Sequence, residues 1–385
     1  MKMSIRLCAL LCALFSSFIL LPSAFPQGSL TPPGTPGPTM KTLDQLQPRM
    51  PLAGATSTVT LSSPGSYYLT GDIAVVTGNG IVISADNVTL DLSGFTVSSS
   101  AASPIGSGVL LSGDRSGIHI LNGHIQGTVT YNGSTFSGGG FDTGIFAGGS
   151  SVSWRVTGVS VVGVSSLGIG DFQNFAIVDS CNVQTINGIG IAGGVVSNCR
   201  AHQCFSTGIM ANTALDCVAT GSSINSCIQA TAATNCSGVN SGGGAGITAS
   251  TVNTCFGQSN SSVGINATIA QNSYGVSASN IGLNVFTATN CYGSSSGSNN
   301  GIHANTANNC YGESTSNRGI NTDIATGCYG VSHGGSFGLA ATYIANSSYG
   351  KSDTGTGLSS YIANSCRGDN SSGPSVLVSF KYNMP

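Results

Sequence analysis

Few side chains in this sequence have the types and spacing to do chemistry. The densest titratable group is Asp114-Arg115 with His119 and His124 close behind. A carboxylate, a guanidinium and two imidazoles are the groups that proton transfer uses. A Gly-Asp-Arg turn with a surface histidine is equally the ordinary composition of a solvated loop. Asp91, Asp142, Arg155, Asp171 and Asp179 are the other polar candidates in the first half. Later, Glu313 is the only glutamate in the chain and Asp323 stands alone. The stretch GIHANTANNCYG (residues 301–312) sets His303 and Cys310 seven positions apart and could pass for a metal or catalytic cluster. No C-x-x-C pair or Cys/His grouping supports a metal centre, and no cofactor is expected.

That stretch is one unit of a repeat. Cys181, Cys199, Cys217, Cys236, Cys255, Ser273, Cys291, Cys310, Cys328, Ser348 and Cys366 follow at intervals of 18, 18, 19, 19, 18, 18, 19, 18, 20 and 18 residues. Three residues before each lies a small apolar residue, from Val178 to Ala363, and two residues after it, from Gly238 to Gly368, lies a glycine. A Gly-Ile or Gly-Leu pair opens many units, as at Gly264-Ile265 and Gly301-Ile302. The unit has no helical period. Its Ile and the Ala two residues later share a face, as alternate strand residues do. Glycines and Ser/Asn clusters are read as the turns. One such unit cannot bury its own apolar face, whereas stacked units can, about 4.8 Å apart.

Composition agrees. Only 6% of the 385 residues are charged, 56 are Gly and 40% are hydrophobic, which suits many short strands and tight turns. A net charge of −2 points to no nucleic-acid partner. The predicted fold is all-β, a single-stranded parallel β-helix (solenoid) with C-terminal coils of 18–19 residues. Residues 1–24 read as a signal peptide: a basic start, an apolar run too short to span a bilayer, and small residues near Ala24. The expected mature chain has no membrane span and is secreted or at the cell surface. Residues 25–55 form a Pro/Gly-rich linker and N-terminal cap, with 41–52 over the open end. The β-helix covers 56–370, irregular over 56–180 and regular over 181–370, and 371–385 is a capping strand in which Val376, Val378 and Phe380 alternate.

Two rows hold alternatives open. The cysteines form either a ladder of small, buried, inert side chains or include disulfides, with Cys204 or Cys227 as off-register partners for Cys199 or Cys217. Phe256, Tyr274, Tyr292, Tyr311, Tyr329 and Tyr349 occupy one position in consecutive units. Pointing outward they make a stripe able to stack on sugar rings; tucked under the turn they are a structural ladder.

The stretches DNVTLDLSGFTV and IHILNGHIQG resemble right-handed parallel β-helix proteins of the pectin-lyase-like superfamily, a resemblance covering roughly residues 60–370. It implies an exported bacterial protein on that fold. It implies no single activity, since the superfamily includes lyases, hydrolases, epimerases and adhesins. Its polysaccharide-degrading members use clustered carboxylates, or Ca²⁺-binding Asp with an Arg or Lys base. Here Gly123-His124 is followed by Ile125 rather than glycine, and the other hydrolase signatures are absent. The reading favours a non-enzymatic, exported structural and binding protein whose partner is a glycan or a cell-surface protein. The alternative is a divergent polysaccharide lyase or glycoside hydrolase with its site on the N-terminal coils. Oligomeric state is not encoded in any of these features.

Overall fold

The computed structural model describes residues 49–149, 153–171, 173, 175–221, 224–372 and 375–383. The signal-peptide and linker assignments before residue 49 lie outside them. The described chain is an all-β parallel solenoid of about 17 turns of about 19 residues, with no helix. Strands pair in parallel with strands one coil away; the exception is a short antiparallel hairpin, Thr130–Tyr131 with Phe136–Ser137. Arg49–Leu52, placed by the sequence in the N-terminal cap, pairs in parallel with Gly65–Leu69 as the first rung.

In the irregular half the alternation works as the residue types require. Val88, Leu90 and Leu92 are fully buried while Thr89 and Asp91 face outward. In the regular half each coil has three short sides. Ile302, Ala304 and Ala307 are buried on the first two sides, and His303 is exposed. The third side, Tyr311–Ser314, alternates Tyr out, Gly in, Glu out, Ser in.

A left-handed residue makes the corner before the third side. It is Asn198, Asn235, Asn272, Asn290 and Asn309 in five coils, with φ between 49° and 53°, and Gly327 (φ 62°) in another. Asn tolerates this region better than other residues with a Cβ, which explains the Asn of the repeat. The corner points the preceding carbonyl inward, where the ladder side chain meets it. Cys310 Sγ donates to Asn308 O at 3.1 Å and Cys291 Sγ to Thr289 O at 3.2 Å. Ser273 and Ser348 hydroxyls make the same bond, to Gln271 O at 2.6 Å and Asn346 O at 2.8 Å. A thiol and a hydroxyl are each a small donor, so Cys and Ser interchange here. The ladder cysteines are free, buried thiols, so Cys199 and Cys217 form no disulfide.

The glycine after each aromatic does not supply a turn conformation. A Cβ on Gly312 would lie 2.3 Å from Gly319 O, and one on Gly293 would lie 2.3 Å from Gly301 O. The two arms of the coil close so tightly that only glycine fits between them. Two residues on, at the next inward position, sits an unforeseen row of buried serines. Ser277, Ser295 and Ser314 donate to Ser262 O, Asn280 O and Asn299 O at 2.6, 2.6 and 2.7 Å. Each such bond is worth about 1 kcal/mol net and pins the turn it crosses.

Candidate functional site

The N-terminal candidates are not brought together. Asp114 and Arg115 lie in the turn before Ser116–Gln126, where Arg115 Nε donates to Ser112 O at 2.8 Å. His119 and His124 share that strand but stand on opposite sides of the left-handed Asn122 (φ 56°). His119 is beside Thr89 and Arg155, whereas His124 is beside Thr96 and Ser160. His119 contacts Thr157 Oγ1 at 3.2 Å, and burial and the Arg155 charge lower its pKa. Asp91 is held by Arg49 at 2.6 Å and by the Ser93 amide. Asp179 accepts from Ser197 at 2.6 Å and Asn198 at 2.9 Å. Asp171 is fully buried and takes four donors, Trp154 Nε1 and the amides of Gln173, Phe175 and Ala176. Asp142 accepts from the Ser166 hydroxyl. These carboxylates organise the backbone around them.

The aromatic row lies on the outer face of the third side, in register from Phe256 to Tyr349. Neighbouring ring centroids are 5.4, 4.3, 5.1, 5.0 and 4.8 Å apart. Phe256–Tyr274 and Tyr292–Tyr311 stack face to face, Tyr311–Tyr329 meet edge on, and Arg367 closes the row 5.7 Å from the Tyr349 ring. Faces that cover one another are not offered to a ligand, and most rings are half-buried. Tyr292 OH donates to Glu313 at 2.9 Å and Tyr349 OH to Asp369 at 2.6 Å. Burial, reinforced by the neighbouring carboxylate, raises both phenols, Tyr349 to about 12. The row borders a shallow groove with Asn272, Asn290 and Asn309 on its other side.

A cluster the sequence did not suggest adjoins this row. His333 sits between two carboxylates, with Nε2 2.9 Å from Glu313 and Nδ1 3.0 Å from Asp353. Hydrogen bonds to Glu313 and Asp353 raise its pKa above the ordinary 6.5. The contribution to stability is therefore full below the unfolded pKa and is lost as pH rises through the folded one. All three groups are well exposed, so the effect on stability is small. In an NMR titration the His333 midpoint is expected above 6.5, and Glu313→Gln is expected to lower it; a midpoint unmoved by that change contradicts the contact.

A groove lies on the first two sides of the last coils, with a volume of about 470 Å³. Outward residues Asn266, Asn284, His303 and Asn321 form one column, which shrinks to Ala340 and Ser359 before Leu377. The small pair leaves a hollow. On the chain before it stand Arg318 and Phe337, with the guanidinium 5.4 Å from the ring centroid and bonded to Asn321 Oδ1 at 2.6 Å. Arg318 makes no ion pair among the described residues. After it comes a one-residue bulge between Ala341 and Ile344, then Tyr361, 52% exposed. The 20-residue interval ending at Ser348 carries the extra residue, the one trace of the groove in the sequence. A hollow with aromatic walls, a guanidinium, an amide and hydroxyls has the chemistry to take a polar ring compound. Among the described residues no group of His, Cys, Asp and Glu is arranged to hold a metal, and no helix is long and apolar enough to cross a membrane.

No family model and no curated protein matches the chain. Among solved structures, the A-module of the Azotobacter vinelandii mannuronan C-5 epimerase AlgE6 is similar over 84% of this chain and 92% of that one. Identity is 8% and the TM-score 0.18, too slight a likeness to bear on fold or activity.

Proposed function

We propose that this chain is an exported, non-catalytic β-solenoid that binds a saccharide chain in the groove between Arg318, Phe337 and Tyr361. The groove itself carries the reading. It pairs aromatic surface, which takes the C–H faces of a sugar ring, with Arg318, Asn321, Ser359 and Thr342 as hydrogen-bonding groups for the hydroxyls. Among the described residues, no carboxylate or histidine lines this groove. Carboxylates elsewhere, such as Asp91, Asp171 and Asp179, are engaged with donors of the protein itself.

Retention on immobilised polygalacturonate, alginate, cellulose and chitin tests this. Arg318→Ala and Tyr361→Ala are each expected to weaken retention about tenfold, the effect of removing a central contact. Tyr292→Ala and Tyr311→Ala leave it unchanged, because those ring faces are covered. Loss with the Tyr292 and Tyr311 variants alone moves the site to the aromatic row. No retention by the unaltered protein on any of these glycans overturns the saccharide reading in favour of a protein partner.

A further inference from the structure

The regular repeat does not end at Cys366. Strand Val376–Tyr382 pairs in parallel with Thr356–Asn364 in continuous register: Val376 beside Leu358, Val378 beside Ser360 and Phe380 beside Ile362. Asn383 is left-handed (φ 48°), as are Ser365 and Ser347 at the equivalent corners before it. Residues 375–383 thus continue the register of the repeat. One substitution sets them apart. Their register partner for Ala363 is Lys381. In the preceding coils that inward position is Ala270, Ala288, Ala307, Ala325, Ala345 and Ala363, each with no exposure at all.

The other edge of Val376–Tyr382 has no strand partner among the described residues. An edge of that kind is a template for a further strand. Its side chains favour association, since Leu377, Phe380 and Tyr382 are 55%, 48% and 56% exposed. The repeat also supplies the complementary partner, because each rung is shaped to stack on one like itself. Lys381 lines the hollow of about 440 Å³ at this end, with Cys366, Arg367, Gly368, Asp369, Ser375 and Val376. Asp369 does not neutralise it. That carboxylate is held by Arg367 at 3.0 Å and by the Tyr349 hydroxyl at 2.6 Å, and Lys381 makes no ion pair among the described residues.

We propose that Lys381 is a stop residue that keeps a second copy of this chain from adding a rung to the C-terminal edge. A stacked rung would cover the inward row and strip water from an unpaired ammonium, at a cost of several kcal/mol. The backbone edge and its apolar side chains stay open, but the core row cannot continue through a charge. Inward-pointing charge on an edge strand is a general way to prevent edge-to-edge addition, and here it occupies a row that holds only alanine and valine in the coils from Val178 to Ala363.

Sedimentation velocity on the full chain over a range of concentrations tests this, with Lys381→Ala, Lys381→Glu and Lys381→Arg beside the parent. Lys381→Ala extends the alanine row and is expected to tighten self-association at least about tenfold. Lys381→Glu and Lys381→Arg keep a charge in the row and are expected to sediment as the parent does. An unchanged mass distribution for Lys381→Ala overturns the proposal. So does association of Lys381→Glu as strong as that of Lys381→Ala, which would make loss of the lysine itself, rather than loss of charge, the cause. Circular dichroism spectra matching the parent exclude misfolding as the source of larger species.

Discussion

Gly312→Ala is expected to destabilise the solenoid by about 3 kcal/mol, the upper end of what overpacking a tight interior costs. The added Cβ would sit 2.3 Å from Gly319 O and close to the Ile320 side chain, against backbone that is hydrogen-bonded to coils on both sides. Neither arm can withdraw without breaking a rung. Gly243→Ala is the control, since the nearest atom there is 4.0 Å away, and its expected effect is within about 0.5 kcal/mol. Because each coil touches mainly its neighbours, the damage is local. Hydrogen exchange should show lost protection around residues 293–330 and unchanged protection over 81–125. Uniform loss along the chain would mean that the coils unfold as one unit, and no loss would mean that the coil can widen at this point.

Asp171→Ala is expected to cost about 3 kcal/mol, since each buried donor left unpaired costs about 1–3 kcal/mol. The fully buried carboxylate accepts from the Trp154 indole at 2.9 Å and from three backbone amides at 2.9–3.1 Å. Truncation leaves the Trp154 indole and the Ala176 amide unpaired in the interior and releases the turn amides of Gln173 and Phe175. Asp171→Asn fares little better, because its amide group presents donors to donors. Trp154 is the only tryptophan in the chain, so its emission reports on this point directly. A red shift at denaturant concentrations that leave the parent unchanged is expected, and coincident unfolding curves would show that the carboxylate is dispensable.

The architecture was legible because a period of 18–20 residues repeated until each position's character was plain. Ile302, Ala304, Ala307 and Cys310 are buried as their places in the unit require. Physical roles within the unit were less legible. The recurring spacing of Gly301 and Gly312 looks the same whether glycine serves a turn or a close approach, and only the distance across the coil separates the two. The Asn before the ladder position and the Ser after the aromatic were present in the repeat, but their roles depend on a left-handed corner and on carbonyls from other coils. The polar clusters were hidden for a different reason. Glu313, His333 and Asp353 lie 20 residues apart, and they converge because they occupy variable positions on successive coils. Asp114, Arg115, His119 and His124 are close in sequence, yet a left-handed corner parts the two histidines. The groove at Arg318 rests on two small residues and one bulge, departures from the repeat rather than features of it.

The most direct measurement of binding without cleavage is to incubate the protein with each glycan it retains and assay for new reducing ends and new unsaturated ends. Retention with neither product is expected, and retention should fall with Arg318→Ala. Sustained product formation that scales with protein concentration and survives Arg318→Ala would contradict the binding assignment and place a catalytic site elsewhere on the solenoid.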